Sequence, residues 1–341
     1  MNSFILHVMI SEKFMPGFID FVRSFSDRVV HRYVMITSEK YEYGLSKDHG
    51  VEFLHQDRDF ERLLSYMIDA DKIILHGLWR DKVCSLLMSH DYLYAKTYWV
   101  MWGGDFYHPE YYSDAQRHVM KNVCHLIAMT DDSISFVRDK YGATGEHIRC
   151  VVYPSNIVNT DILVDNTHRE TDDIKILVGN SSTEANNHIS VYERLHKQDS
   201  NKLKIYSVLS YPIRHSYADS VVARGTELFG DRFTPILHFM SYDKYLAFLS
   251  KVDVALFDSW RQQGIGNIVQ LLSMGARVYI RKRVSTWGLC QVLGLKVFDI
   301  EEDELLLSPL DIDSVIHNHN IVREHFSAAK LKNDLECIFN R

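Results

Sequence analysis

Seven consecutive residues, Arg261-Gln262-Gln263-Gly264-Ile265-Gly266-Asn267, put a guanidinium and two carboxamides beside two glycines. The run follows Val252-Asp253-Val254-Ala255-Leu256-Phe257, which reads as a buried strand. It precedes Ile268–Ala276, which reads as a helix closed by Gly275. A strand, a glycine-containing loop and a helix start expose backbone N–H groups with no partner of their own, and the helix dipole adds positive potential there. Such a pocket favours phosphate. Glycine lets the backbone approach a ligand closely, and Arg261 stands where it can pair with a diphosphate. An ordinary capped strand-to-helix turn looks the same in sequence, so this loop does not decide the matter alone.

A second run of this kind is Val178-Gly179-Asn180-Ser181-Ser182. Gly179 permits a tight turn, and Asn180 and Ser181 supply donors or merely cap it. Two such loops at one sheet edge point to a nucleotide diphosphate. Neither is a Walker A sequence, and neither is a full Gly-x-Gly-x-x-Gly, which argues against ATP hydrolysis and dinucleotide redox chemistry.

The first half of the chain has its own motif, Trp99-Val100-Met101-Trp102-Gly103-Gly104-Asp105-Phe106-Tyr107. A strand runs into Gly103-Gly104, then an acid between aromatics. Asp105 is a candidate general base for a sugar hydroxyl, or a holder of the acceptor by hydrogen bonds. Trp102, Phe106 and Tyr107 offer faces for stacking on sugar rings. The competing reading is a structural aspartate beside core aromatics. His7, late in the first strand, and His76, before Gly77, are further candidates for the acceptor side. The pairs Asp57/Asp59, Asp69/Asp71 and Asp311/Asp313 fall at helix edges and loops, so they read as solvated or capping charges rather than a metal site. No cofactor is expected.

These motifs require elements to place them. Strand patterns at 4–9, 32–36, 51–55, 72–76, 97–102, 125–129 and 147–152 alternate with helical stripes such as Phe60, Leu63, Leu64, Met67 and Ile68. This alternation predicts a mainly parallel sheet with helices on both faces. Loop formers from Pro154 to Asp173 interrupt it. The pattern restarts with strands at 174–178, 203–208, 233–238, 252–257, 277–280 and 296–298. The expectation is an α/β chain of two doubly wound, Rossmann-like domains facing each other. Their bounds are 1–155 on the acceptor side and 174–315 on the nucleotide-sugar side, with a linker at 156–173 and a helical tail at 316–341. Open sheets of this type bind ligands beyond the carboxyl ends of their strands, where all the motifs above fall.

Composition narrows the function classes. The chain has 341 residues and a formal net charge of -7, so no basic field invites nucleic acid. No apolar run is long enough to span a bilayer, and the first residues lack the features of a signal peptide. Five scattered cysteines without Cys-x-x-Cys fit free thiols in a reducing compartment. Arg277, Arg281, Lys282 and Arg283 form a basic cluster that either is solvated or touches anionic lipid.

Three blocks, Trp102-Gly103-Gly104-Asp105-Phe106-Tyr107, Ile176–Ser181 with Asn187-His188-Ile189, and Arg261–Gly266, resemble the TDP-N-acetylfucosamine:lipid II N-acetylfucosaminyltransferases, family 56 glycosyltransferases of enteric bacteria. The order and spacing of the blocks agree over most of the chain. Gly104 stands where the common-antigen enzymes have alanine, which points to a relative in another surface polysaccharide pathway, such as O-antigen synthesis. The resemblance implies a GT-B fold and a dTDP-linked 4-acetamido-4,6-dideoxyhexose donor. It also implies an undecaprenyl-diphosphate-linked saccharide acceptor, with the enzyme cytoplasmic and peripheral on the inner membrane, and no essential metal. On this reading Asp105 and Arg261 are catalytic. Gly179, Asn180, Ser181, Gln262, Gln263, Gly264, Ile265, Gly266 and Asn267 hold the donor diphosphate. His7, His76, Trp102, Gly103, Gly104 and Tyr107 face the acceptor. The alternatives are transfer from another nucleotide sugar such as GDP-fucose, a nucleotide-sugar epimerase, and a non-catalytic nucleotide-sugar-binding protein.

Overall fold

The computed structural model describes residues 3–158, 173–198, 201–211 and 215–341. Most of the expected linker lies outside the described residues. The chain divides into two compact units, Met1–Ile157 with Ala328–Arg341, and Val158–Ser327.

The first unit holds seven strands: β1 (Phe4–Met9), β2 (Val30–Met35), β3 (Glu52–Phe53), β4 (Lys72–His76), β5 (Thr97–Val100), β6 (His125–Ala128) and β7 (Glu146–Arg149). Every pairing is parallel, in the order β3-β2-β1-β4-β5-β6-β7. The second unit holds β8 (Ile174–Val178), β9 (Leu203–Val208), β10 (Phe233–Ile236), β11 (Val254–Phe257), β12 (Arg277–Ile280) and β13 (Phe298–Asp299), again all parallel, ordered β10-β9-β8-β11-β12-β13. Helices cover both faces, so the central strands are apolar runs rather than alternating ones. Val254–Phe257 is buried at every position. Leu6, Val34, Ile73, Leu75, Trp99 and Leu126 make the first core, and Ile176, Tyr192, Leu195, Ile205, Leu256 and Tyr279 the second.

The strand order reverses between β1 and β4 in the first sheet and between β8 and β11 in the second. These switch points open crevices at the carboxyl edge, since the flanking loops leave to opposite faces.

Several strand ends differ from the sequence expectation by a few residues, and two differences reshape the first unit. The strand expected to reach residue 152 stops at Arg149, and Val152 takes a positive φ of 59°. That departure swings Tyr153 under His76, where its phenol is hydrogen-bonded. The helical tail is also not one piece. Helix Ile312–His325 belongs to the second unit, whereas Ala328–Asn340 packs in the first, with the Phe339 ring 4.7 Å from that of His31.

Candidate functional site

In the second unit the two glycine loops meet. They leave adjacent strands, β8 and β11, and Gly179 N donates to Leu256 O across that boundary. Gln263 Nε2 donates to Asn186 Oδ1 at 2.9 Å and to Asn180 Oδ1 at 3.3 Å. Asn186 is fully buried and organises the first loop. Its Oδ1 accepts Asn180 N, and its Nδ2 donates to the carbonyl and hydroxyl oxygens of Ser181 and Thr183. A second link joins Asn187 Nδ2 to Asp258 Oδ2 at 2.6 Å, and Asp258 pairs with Arg281 Nε at 2.6 Å. The loop after β8, the loop after β11 and the end of β12 are therefore one cross-braced cradle.

Gly264 begins the helix Ile265–Ser273 with a left-handed φ of 67°. The first amide of that helix to find an intrahelical acceptor is Ile268 N, on Gly264 O. The amides of Ile265, Gly266 and Asn267 precede it and end the helix at the cradle, where the dipole favours an anion. Arg261 is exposed beside them. Gln262 Oε1 accepts the Ser285 hydroxyl, and Asn267 Oδ1 accepts the Tyr245 hydroxyl, so both side chains are oriented from behind. Two polar atoms of the cradle are buried with no hydrogen-bond partner among the described residues, His188 Nε2 and Ser259 Oγ. Burial lowers the His188 imidazole to about 4, so it is neutral, with Nδ1 on the Tyr217 hydroxyl. Sequence reasoning passed over Asn186, Asp258 and Ser259. An Asn before a helix reads as an ordinary cap, and nothing in sequence shows that residues about 77 apart share a bond.

The basic cluster is ion-paired. Arg281 and Arg283 meet Glu301, Lys282 meets Asp299, and Arg277 is buried, donating to the Ser308 and Pro309 carbonyls. This removes the argument for a lipid-facing patch there. Two of the three Asp-x-Asp pairs supply caps: Asp59 accepts the His55 and Gln56 amides, and Asp311 accepts Ser314 N, while in the third Asp71 accepts the exposed Ser3 hydroxyl.

The first unit corrects the picture of its motif. Asp105 is fully buried. Its Oδ2 accepts Leu78 N at 3.0 Å and Trp99 Nε1 at 2.7 Å, and its Oδ1 accepts Trp102 N at 2.9 Å. Burial pushes its carboxyl above the ordinary range, and the Trp99, Trp102 and Leu78 donors pull it back. A carboxylate so enclosed has no open side for an incoming hydroxyl. In this geometry Asp105 positions the Trp102–Gly104 turn rather than taking a proton. The Asp105→Asn variant should therefore lose about 1–3 kcal/mol of stability, because an amide NH2 must face a buried donor. Chemical denaturation checks this, and an unchanged midpoint would remove the structural role.

The same turn hides most of the expected acceptor face. Phe106 is buried against Trp99, and the Tyr107 hydroxyl lies 3.2 Å from Ser133 Oγ. Gly103 takes a φ of 86° under the Tyr107 ring, and a Cβ on Gly104 would meet Trp79 Cη2 at 2.8 Å. The Trp79 ring thus accounts for glycine at 104. Trp102 and Tyr107 stay partly open, and the Trp102 ring packs edge-on against Phe14 and Trp79.

His7 and His76 are buried inside the fold, not displayed at the edge. They belong to a continuous chain. Trp102 Nε1 donates to the Tyr153 hydroxyl at 2.9 Å, which lies 2.8 Å from His76 Nδ1. His76 Nε2 is 3.1 Å from His7 Nδ1, His7 Nε2 is 2.9 Å from His31 Nδ1, and His31 Nε2 is 2.8 Å from Ser26 Oγ. An imidazole in the middle of a central strand is costly unless both nitrogens are satisfied, and here they are. The chain ties β1, β2 and β4 to the Trp102 turn, so both histidines are positioning residues.

Two parallel-sheet α/β units, each with a topological switch point at its carboxyl edge, are the layout of a GT-B glycosyltransferase. Solved structures agree on the fold. A glycosyltransferase from Rickettsia africae matches at a TM-score of 0.70 with 12% identity, covering 100% of this chain and 99% of that one. Anabaena HepE in complex with UDP and glucose matches at 0.67 with 14% identity, covering 99% and 100%. A UDP-forming α,α-trehalose-phosphate synthase from Burkholderia xenovorans matches at 0.63 with 8% identity, covering 99% of each. The chain belongs to glycosyl transferase group 56, the family described as 4-α-L-fucosyltransferase, which it matches over residues 62–305. It is a glycosyltransferase.

Proposed function

We propose that the chain moves a 4-acetamido-4,6-dideoxyhexose from a dTDP-sugar to an undecaprenyl-diphosphate-linked saccharide during surface polysaccharide synthesis. The second unit holds the donor and the first holds the acceptor. The observation that carries this reading is the Gln263 bridge, which locks the two loops together while the helix amides and Arg261 stay open to an anion. As the glycosidic bond breaks, the diphosphate gains negative charge. Amides at Ile265–Asn267 and the Arg261 guanidinium are placed to stabilise that charge without reorganisation. In support of a pyrimidine nucleotide, the similar Anabaena protein was crystallised with UDP.

The lipid-linked acceptor places the enzyme at the membrane's cytoplasmic face as a peripheral protein. Among the described residues no helix is long and apolar enough to cross a membrane. Thermal stabilisation by dTDP, UDP and GDP tests the donor class. A ligand at a hundred times its Kd adds about 2.7 kcal/mol, so the right base gives a clear upward shift in Tm. Stabilisation by GDP alone would shift the reading to GDP-fucose, in keeping with the family's description. Arg261→Ala should lower kcat by about 100–1000-fold. Steady-state kinetics with kcat and KM both unchanged would remove Arg261 from the reaction.

A further inference from the structure

With Asp105 sealed, a hydroxyl attacking the donor needs another proton acceptor. The carboxyl edge of the first sheet offers several carboxylates, and most are committed. Asp81 bonds Ser113 Oγ, Asp131 pairs with Arg149 and His147, and Glu110 pairs with His108. Glu42 is exposed, 3.5 Å from Ser11 Oγ. Glu39 and Asp132 are exposed and follow β2 and β6, away from the β1/β4 switch point.

Glu12 is different on each count. It sits in the loop leaving β1, at the switch point where an open sheet receives its ligand. It is half-buried, yet its carboxylate has no hydrogen-bond or ion-pair partner among the described residues. Its backbone is fixed, because Glu12 O accepts Met15 N at the start of the helix Met15–Arg23. Two residues on, the Phe14 ring packs 4.5 Å from Tyr153 and 4.9 Å from Trp102, pinning the loop against a partly open aromatic of the Trp102 turn. Glu12 lies close enough for its charge to reach that wall. Burial raises the Tyr153 phenol, and the charges of Asp105 and Glu12 add to the effect.

We infer that Glu12 is the general base of transfer. The inference rests on the proposed function and deepens it. The acceptor oxygen bonds to C1 of the sugar while its proton passes to the Glu12 carboxylate. The bond from C1 to the diphosphate breaks, and its electron pair leaves with the nucleotide. The anomeric configuration inverts.

The test uses the full chain with a dTDP-, UDP- and GDP-sugar panel, scoring released nucleotide both with an undecaprenyl-diphosphate-linked saccharide in detergent and with water as acceptor. Glu12→Gln should keep its melting temperature and its affinity for the nucleoside diphosphate while kcat falls about 100–10,000-fold. Glu12→Asp, with its carboxylate drawn back by one methylene, should fall between the two. It carries the test if the glutamine variant does not fold. Wild-type kcat in the folded Gln variant, or in Glu12→Asp should Gln not fold, would overturn the inference and leave the proposed function standing, as would an NMR spectrum showing retained configuration. A wild-type enzyme that consumes no nucleotide sugar in the panel would overturn both.

Discussion

Gly179→Ala should cripple donor binding and lower the stability of the second unit. Gly179 has a φ of 67°, and a Cβ there would lie 2.4 Å from His188 Nε2 and 3.1 Å from Asn186 Oδ1. Left-handed backbone costs an L-residue about 1–2 kcal/mol. The collision adds a further cost, because neither neighbour can step aside. His188 is fully buried and held by Tyr217, and Asn186 is fully buried and bonded to Asn180, Ser181, Thr183 and Gln263. Overpacking of this sort typically costs about 1–3 kcal/mol more. Displacing Asn186 releases Gln263 and separates the two loops, so nucleotide affinity should fall at least tenfold, by isothermal titration, beyond any loss of folded protein. Gly230→Ala is the control. Its φ is 54°, but nothing lies within 4 Å of the added carbon, so it should show the backbone cost alone. Equal behaviour of the two variants would mean that the His188–Asn186 packing does not govern the cradle.

The second large effect is a loss of stability between pH 6.5 and 5. Burial holds His31 at about 4 and His76 at about 3. His7 is also lowered well below 6.5, by burial first and then by the neighbouring His76 and His31. Each stays neutral in the folded chain while its unfolded counterpart takes a proton below about pH 6.5. The unfolded state therefore binds more protons, and stability falls as pH falls. The loss begins near 6.5 and is complete only below the folded values. Each imidazole contributes about 1.4 kcal/mol per pH unit within that window. Three of them in the first unit approach the whole stability of an ordinary domain. Carboxylates titrate mainly below about pH 5, so the window above it isolates the histidines. The first unit should melt progressively lower from pH 6.5 to 5, and a melting temperature flat over that range would show that the chain from Trp102 to Ser26 takes up protons without cost.

Much of the architecture was legible. Runs such as Phe4–Met9 and Ile174–Val178 are mostly apolar, interrupted only by His7 and Lys175, because both faces of a parallel sheet are covered, and the helical stripes between them leave few other arrangements. The glycine loops were visible because left-handed backbone and close approach select glycine locally. Less legible were the partners of those loops. Asp105 reads equally as base or brace, since a carboxylate among aromatics looks the same in sequence whether three donors enclose it or none. His7 and His76 looked like site residues for a related reason: a histidine inside an apolar strand announces a need for partners without saying where they come from.

Local pattern alone determined a two-sheet α/β chain with glycine loops in its second half, because strand period, helix period and glycine placement are properties of neighbouring residues. The glycosyltransferase class came from the resemblance of three sequence blocks to family 56. Tertiary structure decided which polar groups are spent and which are free. It closed Asp105 against Leu78, Trp99 and Trp102, threaded His7 and His76 into one chain, tied Gln263 to Asn186, and left the Glu12 carboxylate without a partner among the described residues. Those outcomes depend on contacts between residues far apart in the chain, and burial and pairing, not residue type, set what a carboxylate or an imidazole can do.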